Sequence, residues 1–356
     1  MSTVSDQKLQ AIILSDAWGT SLVERGRTLL ESKGSTAIIT VDSSTWQEEL
    51  RAKLPTADVL LVRPWMTPSM FMSETLLDLA PRLRAIGGTF DNRFTSFVSI
   101  EALQRRNIRL IDTSRSMTPS VAEFALTQTL NLLRDVPAAI ALMRAGGWKR
   151  TSWDNFGYVY GDLAGKKVGL AGYGSINRRY HELLKGFGCK TAVYDPMLDK
   201  TAAQKLGLTH TASLVELAAA SEIFVVGIPP LRSSLRHINK DVFDALPLGA
   251  ILVLVSRMAV VDENALWEAI NTRKLRAAID VFSAEPVPPD APYRFHPNVL
   301  ATPHIAGEAV YCHERCFTDA CIDALAVLER GELRFEATPV DASMYIGIDA
   351  MGRVKQ

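Results

Sequence analysis

The sequence carries no excess of charge of either sign. Lysine and arginine together number 39, and aspartate and glutamate also number 39, so the formal net charge is zero. Nucleic-acid-binding proteins usually carry a basic excess or a basic stripe. We therefore expect no nucleic acid among the partners of this protein.

Long apolar segments are absent as well. The chain contains no run of about 18 apolar residues, which is close to the length that a membrane helix needs. Residues 1–10 are polar and lack the apolar stretch of a secretory signal peptide. These two features predict a cytoplasmic protein with no membrane partner.

Cysteine is scarce. Cys189 stands alone, whereas Cys312, Cys316 and Cys321 lie close together with His313 beside them. A metal site is one interpretation of this group, but the C-x-x-C spacing of most structural zinc sites is missing. We expect free thiols in a reducing compartment and no bound metal.

The overall composition, with 47% hydrophobic residues, is that of a globular protein. The length of 356 residues is that of about two domains. Short apolar runs alternate with amphipathic helical patterns in two stretches, which is typical of parallel α/β sheets. The first stretch predicts strands at Ala11–Leu14, Thr36–Val41, Asp58–Val62, Leu83–Ile86 and Ile108–Ile111, with helices between them such as Ser21–Ser32 and Ser99–Arg106.

A long helical pattern connects the two stretches, from about Ser120 to Arg144. Pro119 precedes it, and Ser120 with Glu123 has the S-x-x-E spacing of a capping box. Its broad apolar face predicts packing on more than one side, either between domains or against a second subunit.

The second stretch repeats the alternation. We predict N-caps at Asp241 and Asp262 and, after a final helix from about Glu308 to Arg330, an irregular tail beyond Gly331. The predicted strands are Lys167–Ala171, Lys190–Tyr194, Ile223–Ile228, Ile251–Val255, Ala277–Val281 and Val299–Thr302, and the helices are Ile176–Phe187, Leu214–Ala220, Asp241–Leu246 and Asp262–Arg273.

A dinucleotide-binding motif follows the first of these strands. The run Val168–Asn177 reads V-G-L-A-G-Y-G-S-I-N and leads from an apolar strand through glycines into a helical pattern. Gly172 permits the tight turn, and Gly174 lets the backbone approach a pyrophosphate at the helix N-terminus. Asn177 occupies the place of the third glycine, which predicts a helix packed slightly farther from the strand.

Asp195 supports the same interpretation. It ends the next strand in V-Y-D-P, at the distance from the glycines where an acid can bind the adenosine ribose hydroxyls. A carboxylate there repels a 2′-phosphate, so NAD is favoured over NADP, although Arg178 and Arg179 favour NADP weakly. The alternative is an ordinary glycine turn followed by a loop-capping aspartate.

Three further groups stand at predicted strand ends, where ligands bind in open α/β sheets. Arg257 could anchor a substrate carboxylate, since its planar fork binds carboxylates and stays charged. His304 could exchange a proton with a carbonyl oxygen near neutral pH. Glu285 could orient the histidine, and Asp280 lies at the end of an adjacent strand. Each alone is compatible with a surface ion pair or a turn.

These motifs, in this order, resemble the D-isomer-specific 2-hydroxyacid dehydrogenases, which include phosphoglycerate, glycerate, D-lactate and formate dehydrogenases. The resemblance extends from about Ala57 to Gly331. It rests on Ser120-Val-Ala-Glu123, Gly172-Tyr-Gly174-Ser-Ile176, Val193-Tyr-Asp195-Pro196, the run Ala250–Arg257, Asp280-Val281, Glu285-Pro286 and Pro303-His-Ile-Ala-Gly307.

The resemblance implies an α/β fold of two doubly wound parallel-sheet domains. One is a Rossmann NAD-binding domain at residues 119–308. The other is a flavodoxin-like substrate domain built from residues 1–118 and 309–356. The helix after Ser120 is then expected at the interface of a homodimer.

The resemblance also assigns roles to single residues. Arg257 is expected to bind the substrate carboxylate, His304 to act as acid and base, and Glu285 to be its partner. Gly87 and Gly88 are expected to bind the substrate carboxylate through their amides. The residues expected to contact NAD are Gly172, Gly174, Ser175, Ile176, Asp195, Ile228, Pro229, Val255, Ser256, Asp280 and Gly307.

Some positions depart from the family pattern. Met258 follows Arg257 where the family usually has glycine, which predicts a narrower site or a reshaped loop. Thr89 replaces the second glycine of a G-x-G sequence. The tail beyond Arg334 has no counterpart that the resemblance explains.

The sequence thus predicts an NAD-dependent oxidoreductase that reduces a small 2-keto acid to a D-2-hydroxy acid, or the reverse. Glyoxylate, hydroxypyruvate and pyruvate are the expected substrates. The alternative is an NAD(H)-binding regulator on the same fold, similar to the transcriptional corepressors among the relatives of this family.

Overall fold

The computed structural model describes residues 8–66, 71–91, 93–148, 161–329 and 331–345. Within these ranges the chain divides into two compact units. Unit 1 contains the described residues up to Met117 and those from Glu308 onward, and unit 2 contains those of Thr118–Gly307.

Twelve strands are present in the described residues. They are β1 Leu9–Ser15, β2 Gly34–Thr40, β3 Val59–Val62, β4 Ala85–Gly88, β5 Arg109–Asp112, β6 Lys167–Ala171, β7 Lys190–Tyr194, β8 Thr209–His210, β9 Ile223–Val226, β10 Ile251–Leu254, β11 Arg276–Ile279 and β12 Val299–Ala301.

The α-helices of the same residues number thirteen. They are α1 Glu24–Glu31, α2 Trp46–Lys53, α3 Glu74–Asp78, α4 Ile100–Arg105, α5 Thr118–Arg134, α6 Val136–Arg144, α7 Ser175–Leu184, α8 Lys200–Lys205, α9 Leu214–Ala219, α10 Lys240–Ala245, α11 Glu263–Thr272, α12 Val310–Leu328 and α13 Pro339–Met344.

Unit 1 is built on a five-stranded sheet in the order β2-β1-β3-β4-β5. All its strand pairs are parallel. This order is that of flavodoxin-like folds. Apolar clusters cover both faces of the sheet, which is why β3, with the sequence V-L-L-V, is buried along its whole length.

Unit 2 is built on a seven-stranded sheet in the order β12-β11-β10-β9-β6-β7-β8. Its pairs are also parallel. The strand order reverses at β6, as it does in the Rossmann fold. The predicted fold class of two doubly wound parallel α/β units is therefore confirmed, and the one strand missed in this unit is the two-residue β8.

The long connecting helix was predicted as one piece, and this prediction is wrong. The helix is interrupted at Asp135, which lies between α5 and α6 and adopts a left-handed conformation with φ of 50°. Pro137 in the first turn of α6 cannot continue an earlier helix, because it has no N–H to donate and its ring crowds the preceding turn. Asp135 is held in place by Arg276 on β11, at 3.4 Å.

Two of the three N-cap residues predicted from the sequence are also wrong. The helix α5 begins at Thr118, so Ser120 lies in its first turn and is not the N-cap. Asn239 rather than Asp241 caps α10, because its side chain accepts the amide of Val242. Asp262 is confirmed as the cap of α11, since it accepts the amides of Asn264 and Ala265.

The tail beyond Gly331 is ordered where the structure describes it. Glu336 forms an antiparallel bridge with Ile111 of β5, and the neighbouring amides and carbonyls exchange hydrogen bonds. The tail thereby covers an edge strand of the sheet, a position that would otherwise offer unpaired backbone groups. The expectation of an irregular tail is wrong for residues 331–345.

A buried carboxylate fixes this tail to α12. Asp323 is 1% exposed and accepts hydrogen bonds from the amides of Arg334 and Phe335 and from the Arg334 guanidinium, at 2.8–2.9 Å. No helix among the described residues is long and apolar enough to cross a membrane.

We predict that Asp323→Ala destabilises unit 1 by about 2–4 kcal/mol, because two amides and a guanidinium lose a buried acceptor. Glu329→Ala is the matched control, since Glu329 at the end of the same helix pairs with Lys33 in an exposed bridge. It should cost about 0.5 kcal/mol or less. Urea unfolding measures both, and equal losses in the two variants would contradict the assignment.

Candidate active site

Five of the predicted site residues follow five adjacent strands of the seven-stranded sheet. Gly172 follows β6, Asp195 follows β7, Ile228 comes two residues after β9, Arg257 follows β10 by three residues, and Asp280 follows β11. The strands are parallel, so all five residues lie at the carboxyl edge of one sheet. The reversal of strand order at β6 opens a crevice at the same edge, where ligands bind in such folds.

The glycine turn has the geometry that a dinucleotide requires. Gly172 adopts φ of 83°, and its amide donates to the carbonyl of Tyr194 at 2.8 Å. A Cβ at residue 172 would lie 3.0 Å from the carbonyl oxygen of Gly227, whereas one at Gly174 would meet nothing nearer than 3.9 Å. The chain at Gly174 is therefore open on the side from which a phosphate can approach.

The helix α7 begins directly after this turn, with Ser175 and Ile176 as its first residues and Gly174 as its N-cap. The first amides of a helix have no intrahelical partner, and the helix dipole favours a negative charge there. These exposed groups fit a pyrophosphate.

Asp195 is tied to the same turn. One carboxylate oxygen accepts the amide of Tyr173 at 2.6 Å, and the other accepts the amide of Met197 at 2.8 Å. Each oxygen keeps a free lone pair, and the residue is partly exposed. The carboxylate is thus held in a fixed direction with acceptor capacity left for a ribose hydroxyl.

Asn177, at the position of the third glycine, is fully buried. Its amide nitrogen donates to the carbonyls of Gly172, at 2.8 Å, and Ala171, at 3.3 Å. Gly227 provides the space, because a Cβ there would lie closer than 3.0 Å to three atoms of the Asn177 amide group. The larger side chain is thus accommodated by a glycine across the turn.

The remaining predicted cofactor contacts lie after β9, β10 and β12. Ile228 and Val255 are buried, and Pro229 is exposed. The hydroxyl of Ser256 is buried and has no hydrogen-bond partner among the described residues. An unpaired buried hydroxyl at the same carboxyl edge of the sheet as the glycine turn fits a bound dinucleotide. Gly307 is buried at the last position of unit 2.

Three side chains of unit 2 form a continuous line of contacts. Glu285 Oε2 lies 2.7 Å from His304 Nδ1, and His304 Nε2 lies 3.4 Å from Arg257 Nη1. Glu285 also accepts the amide of Phe282 at 2.9 Å, which fixes the carboxylate. The structure therefore brings together all three residues that the sequence predicted as catalytic.

Asp280 holds the segment that carries the histidine. One of its oxygens accepts the Thr302 hydroxyl at 2.6 Å and the Ile305 amide at 3.0 Å, and the other accepts the Ala306 amide at 2.9 Å. Asp280 is only 1% exposed. His304 lies between these anchors in a left-handed conformation with φ of 55°. Sequence reasoning missed Thr302, for which the sequence offers no signal.

The electrostatics of the line follow from burial and pairing. Burial raises the pKa of Glu285, but the hydrogen bond and charge of His304, the Phe282 amide and Arg257 lower it more, so the net pKa lies below its usual value. Burial raises the pKa of Asp280 despite its hydrogen bonds. Loss of solvation lowers the pKa of Arg257, while Glu285 and Asp280 act in the opposite direction.

Met258 does not narrow the site. It is 2% exposed and belongs to the hydrophobic core of unit 2, where it begins a short 3-10 turn. The expectation of a narrower site is wrong because the side chain packs inward from the chain that carries Arg257. Thr89 is likewise buried, and its hydroxyl lies 2.9 Å from that of Thr113.

Gly87 and Gly88 belong to unit 1, where they form the end of β4. A Cβ at Gly87 would lie 2.9 Å from the Leu61 side chain, so glycine is needed for β3 and β4 to pack. Their expected role in carboxylate binding stays a prediction.

The four cysteines are free thiols. Burial raises the pKa of the Cys321 thiol, which keeps it protonated and unreactive. In the part of the chain that the structure describes, no group of three or more His, Cys, Asp or Glu side chains could hold a metal ion.

These features define an α/β protein whose second unit combines a dinucleotide-binding turn with a histidine–carboxylate pair. Comparison with known proteins gives the same result. Residues 126–306 match the family model of the D-isomer specific 2-hydroxyacid dehydrogenase, NAD binding domain. The chain belongs to this family, and unit 2 contains its NAD-binding domain.

The individual relatives share about 30% sequence identity with this chain. The chain is 32% identical over 277 residues to a D-3-phosphoglycerate dehydrogenase of Mycobacterium bovis, covering 77% of this chain and 49% of that protein. It is 30% identical over 310 residues to one of Methanocaldococcus jannaschii, covering 86% and 55%. The chain thus spans about half the length of these relatives.

The fold has a solved counterpart in the crystal structure of a D-lactate dehydrogenase from Treponema pallidum. The TM-score is 0.74 at 20% sequence identity, with 93% of this chain and all of that chain covered. This likeness concerns the fold.

We predict that Asn177 and Gly227 are energetically coupled. Gly227→Ala should destabilise unit 2 by about 1–3 kcal/mol through overpacking, and it should weaken NADH binding by about tenfold. Asn177→Ala alone should cost less, because it removes two hydrogen bonds without a clash. Thermal unfolding and a fluorescence titration with NADH measure the two effects.

The double variant provides the decisive comparison. With alanine at both positions the clash disappears, so Gly227→Ala should be tolerated in the Asn177→Ala background. A double-mutant cycle should then show coupling of about 1–2 kcal/mol. Additive losses would contradict the proposed packing.

Proposed function

We propose that this chain is an NAD-dependent D-2-hydroxyacid dehydrogenase that reduces a 2-keto acid to the D-2-hydroxy acid, or catalyses the reverse reaction. One observation carries the proposal. Glu285, His304 and Arg257 form a line of contacts of 2.7 Å and 3.4 Å at the sheet edge that also bears the dinucleotide turn. The dehydrogenase names of the relatives support it.

His304 is the proton donor in this proposal. The low pKa of Glu285 keeps it ionised at neutral pH, so it can only accept, and His304 Nδ1 must carry a proton. The proton exchanged with substrate is therefore the one on Nε2, which is free to reach a carbonyl oxygen. Glu285 stabilises the imidazolium and fixes the ring, which serves both directions of the reaction.

Arg257 anchors the substrate carboxylate. With neutral His304, Nε2 accepts a hydrogen bond from Arg257 Nη1. With the imidazolium, both groups are donors and repel each other, so an acceptor between them is favoured. The keto acid supplies such acceptors in its carboxylate and carbonyl oxygens. The pair is thus arranged to bind the substrate when the histidine holds its proton.

The bound cofactor would supply the hydride as NADH in keto-acid reduction and would accept it as NAD⁺ in the reverse reaction. Gly172, Gly174, Ser175 and Ile176 would hold its pyrophosphate, and Asp195 its adenosine ribose. Ile228, Pro229, Val255, Ser256 and Gly307 would line the rest of the binding site. We assign Asp280 a positioning role, because its carboxylate is used by the His304 segment rather than being open to a cofactor.

The two units have different functions in this proposal. Unit 2 binds the cofactor and carries the acid–base pair, and unit 1 is the substrate domain, to which Gly87 and Gly88 belong. We further propose a homodimer in the cytoplasm. In support of a dimer, α6 exposes the apolar side chains of Val136, Ile140 and Met143 at helical spacing, 37–52% each.

The regulator alternative has less support. A protein that only binds NAD(H) needs neither the Glu285–His304 pair nor the Asp280 anchors. The relatives and the structure quoted above are named as dehydrogenases. No observation on this chain favours a corepressor, so we retain the enzyme.

We predict that His304→Ala lowers kcat for keto-acid reduction by about 10²–10⁴-fold, the usual effect of losing a general acid. NADH affinity should change little, because the histidine is assigned no cofactor contact. His237→Ala is the control, since this exposed histidine lies outside the site. Steady-state kinetics with NADH measures the loss. A His304→Ala enzyme with nearly full activity would refute the mechanism.

A further inference from the structure

The bond between Glu285 and His304 joins two segments of unit 2 that are supported separately. His304 lies in the segment 302–306, which the buried carboxylate of Asp280 holds through three hydrogen bonds. Glu285 lies in a loop of residues 282–291 that contains no helix or strand. The distance of 2.7 Å between the two side chains therefore depends on the contacts that fix this loop.

The carboxylate of Glu263 attaches the loop to α11. Glu263 is the first residue of this helix and follows its N-cap, Asp262. Its Oε2 accepts the hydroxyl of Ser283 at 2.5 Å, two residues before Glu285 in the chain. Its Oε1 accepts the hydroxyl of Tyr293, which lies two residues beyond the other end of the loop. One carboxylate thus ties both ends of the loop to the start of the same helix.

Aromatic packing fixes Tyr293 as well. Its ring centre lies 5.4 Å from that of Trp267, one turn after Glu263 on α11, and 5.6 Å from that of Phe282. Burial and the bond to Glu263 raise the pKa of Tyr293, so its hydroxyl keeps the proton that it donates. Phe282 is buried, and its amide donates to Glu285 at 2.9 Å. A continuous line of contacts therefore leads from Glu263 through the two rings to the Glu285 carboxylate.

We propose that Glu263 and Tyr293 are positioning residues for the proton transfer. They hold the loop so that Glu285 meets Nδ1 of His304, and they thereby fix the direction in which Nε2 presents its proton. A general acid must lie within hydrogen-bond reach of the atom that it protonates, and a misplacement of about 1 Å can cost about 10²-fold in rate. This inference rests on the proposed function and adds two residues that the sequence motifs do not mark.

Steady-state kinetics with NADH tests the inference, with glyoxylate, hydroxypyruvate and pyruvate as substrates in turn. Glu263→Ala should lower kcat by about ten- to a hundredfold and change KM for the keto acid by less than about threefold, because Arg257 still anchors the carboxylate. Tyr293→Phe keeps the ring packing and removes one hydroxyl, so kcat should fall by about three- to tenfold. Glu263→Gln keeps a carbonyl oxygen that accepts a hydroxyl, and it should retain most of kcat.

Glu268→Ala is the matched control, because Glu268 lies on the same helix and pairs with Lys240 in an exposed bridge. It should leave kcat unchanged. Thermal unfolding shows whether each variant keeps its fold, and Tyr293→Phe decides the test if Glu263→Ala does not fold. An unchanged kcat in the folded Glu263→Ala and Tyr293→Phe proteins would overturn the inference.

Proton NMR of the unliganded protein separates this role from a contribution to stability alone. An imidazole N–H that donates to a carboxylate resonates far downfield, and His304→Ala identifies the signal by its loss. In folded Glu263→Ala and Tyr293→Phe the signal should move upfield or disappear through exchange with water, whereas Glu268→Ala should keep it. A signal that stays in place in both variants would contradict the inference, even if both proteins lose stability.

The failure of this inference and the failure of the proposed function give different results. If the native protein reduces none of the keto acids, the proposed function fails, and the NMR signal still decides whether Glu263 and Tyr293 align the pair. If the native protein is active and only His304→Ala loses activity, the proposed function stands and the positioning role is wrong.

Discussion

The buried carboxylate of Asp280 is the constraint on which the rest of the site depends. A carboxylate removed from water is costly unless hydrogen bonds replace its solvation. The Thr302 hydroxyl and the amides of Ile305 and Ala306 provide that replacement. They fix the chain on both sides of His304, and the imidazole then meets Glu285 on one nitrogen and Arg257 on the other. Strand ends alone would not align the imidazole with Glu285 and Arg257.

Much of this arrangement could be predicted from the sequence. Strands such as β9 and β10 are continuous apolar runs, because helices cover both faces of a parallel sheet, and this pattern is unambiguous when turns bound it. Parallel strands also place their carboxyl ends along one edge. That rule was enough to bring Arg257, Asp280 and His304 to the same place.

What could not be predicted depends on contacts between distant parts of the chain. Pro137 is a local signal for the helix break at Asp135, but the ion pair of Asp135 with Arg276 is not visible in a local pattern. The same holds for the contacts of the tail with Asp323 and the edge of β5. In the sequence, Asn177 is a departure from the glycine motif. Only the structure shows that Gly227, across the turn, leaves room for its side chain. The family resemblance implies that Asp280 contacts the cofactor, and this stays a prediction. Its hydrogen bonds to the segment around His304 are contacts that position in a strand does not show.

The central proposal is that the chain transfers a hydride from NADH to a 2-keto acid, or from the 2-hydroxy acid to NAD⁺, with His304 exchanging the proton. The most direct measurement is the loss of NADH absorbance with a panel of keto acids, with NADPH in parallel and the configuration of the product determined. The account predicts turnover with NADH in preference to NADPH and a D-2-hydroxy acid as product. Tight NADH binding without oxidation by any keto acid would contradict it and leave the NAD(H)-binding regulator as the better explanation.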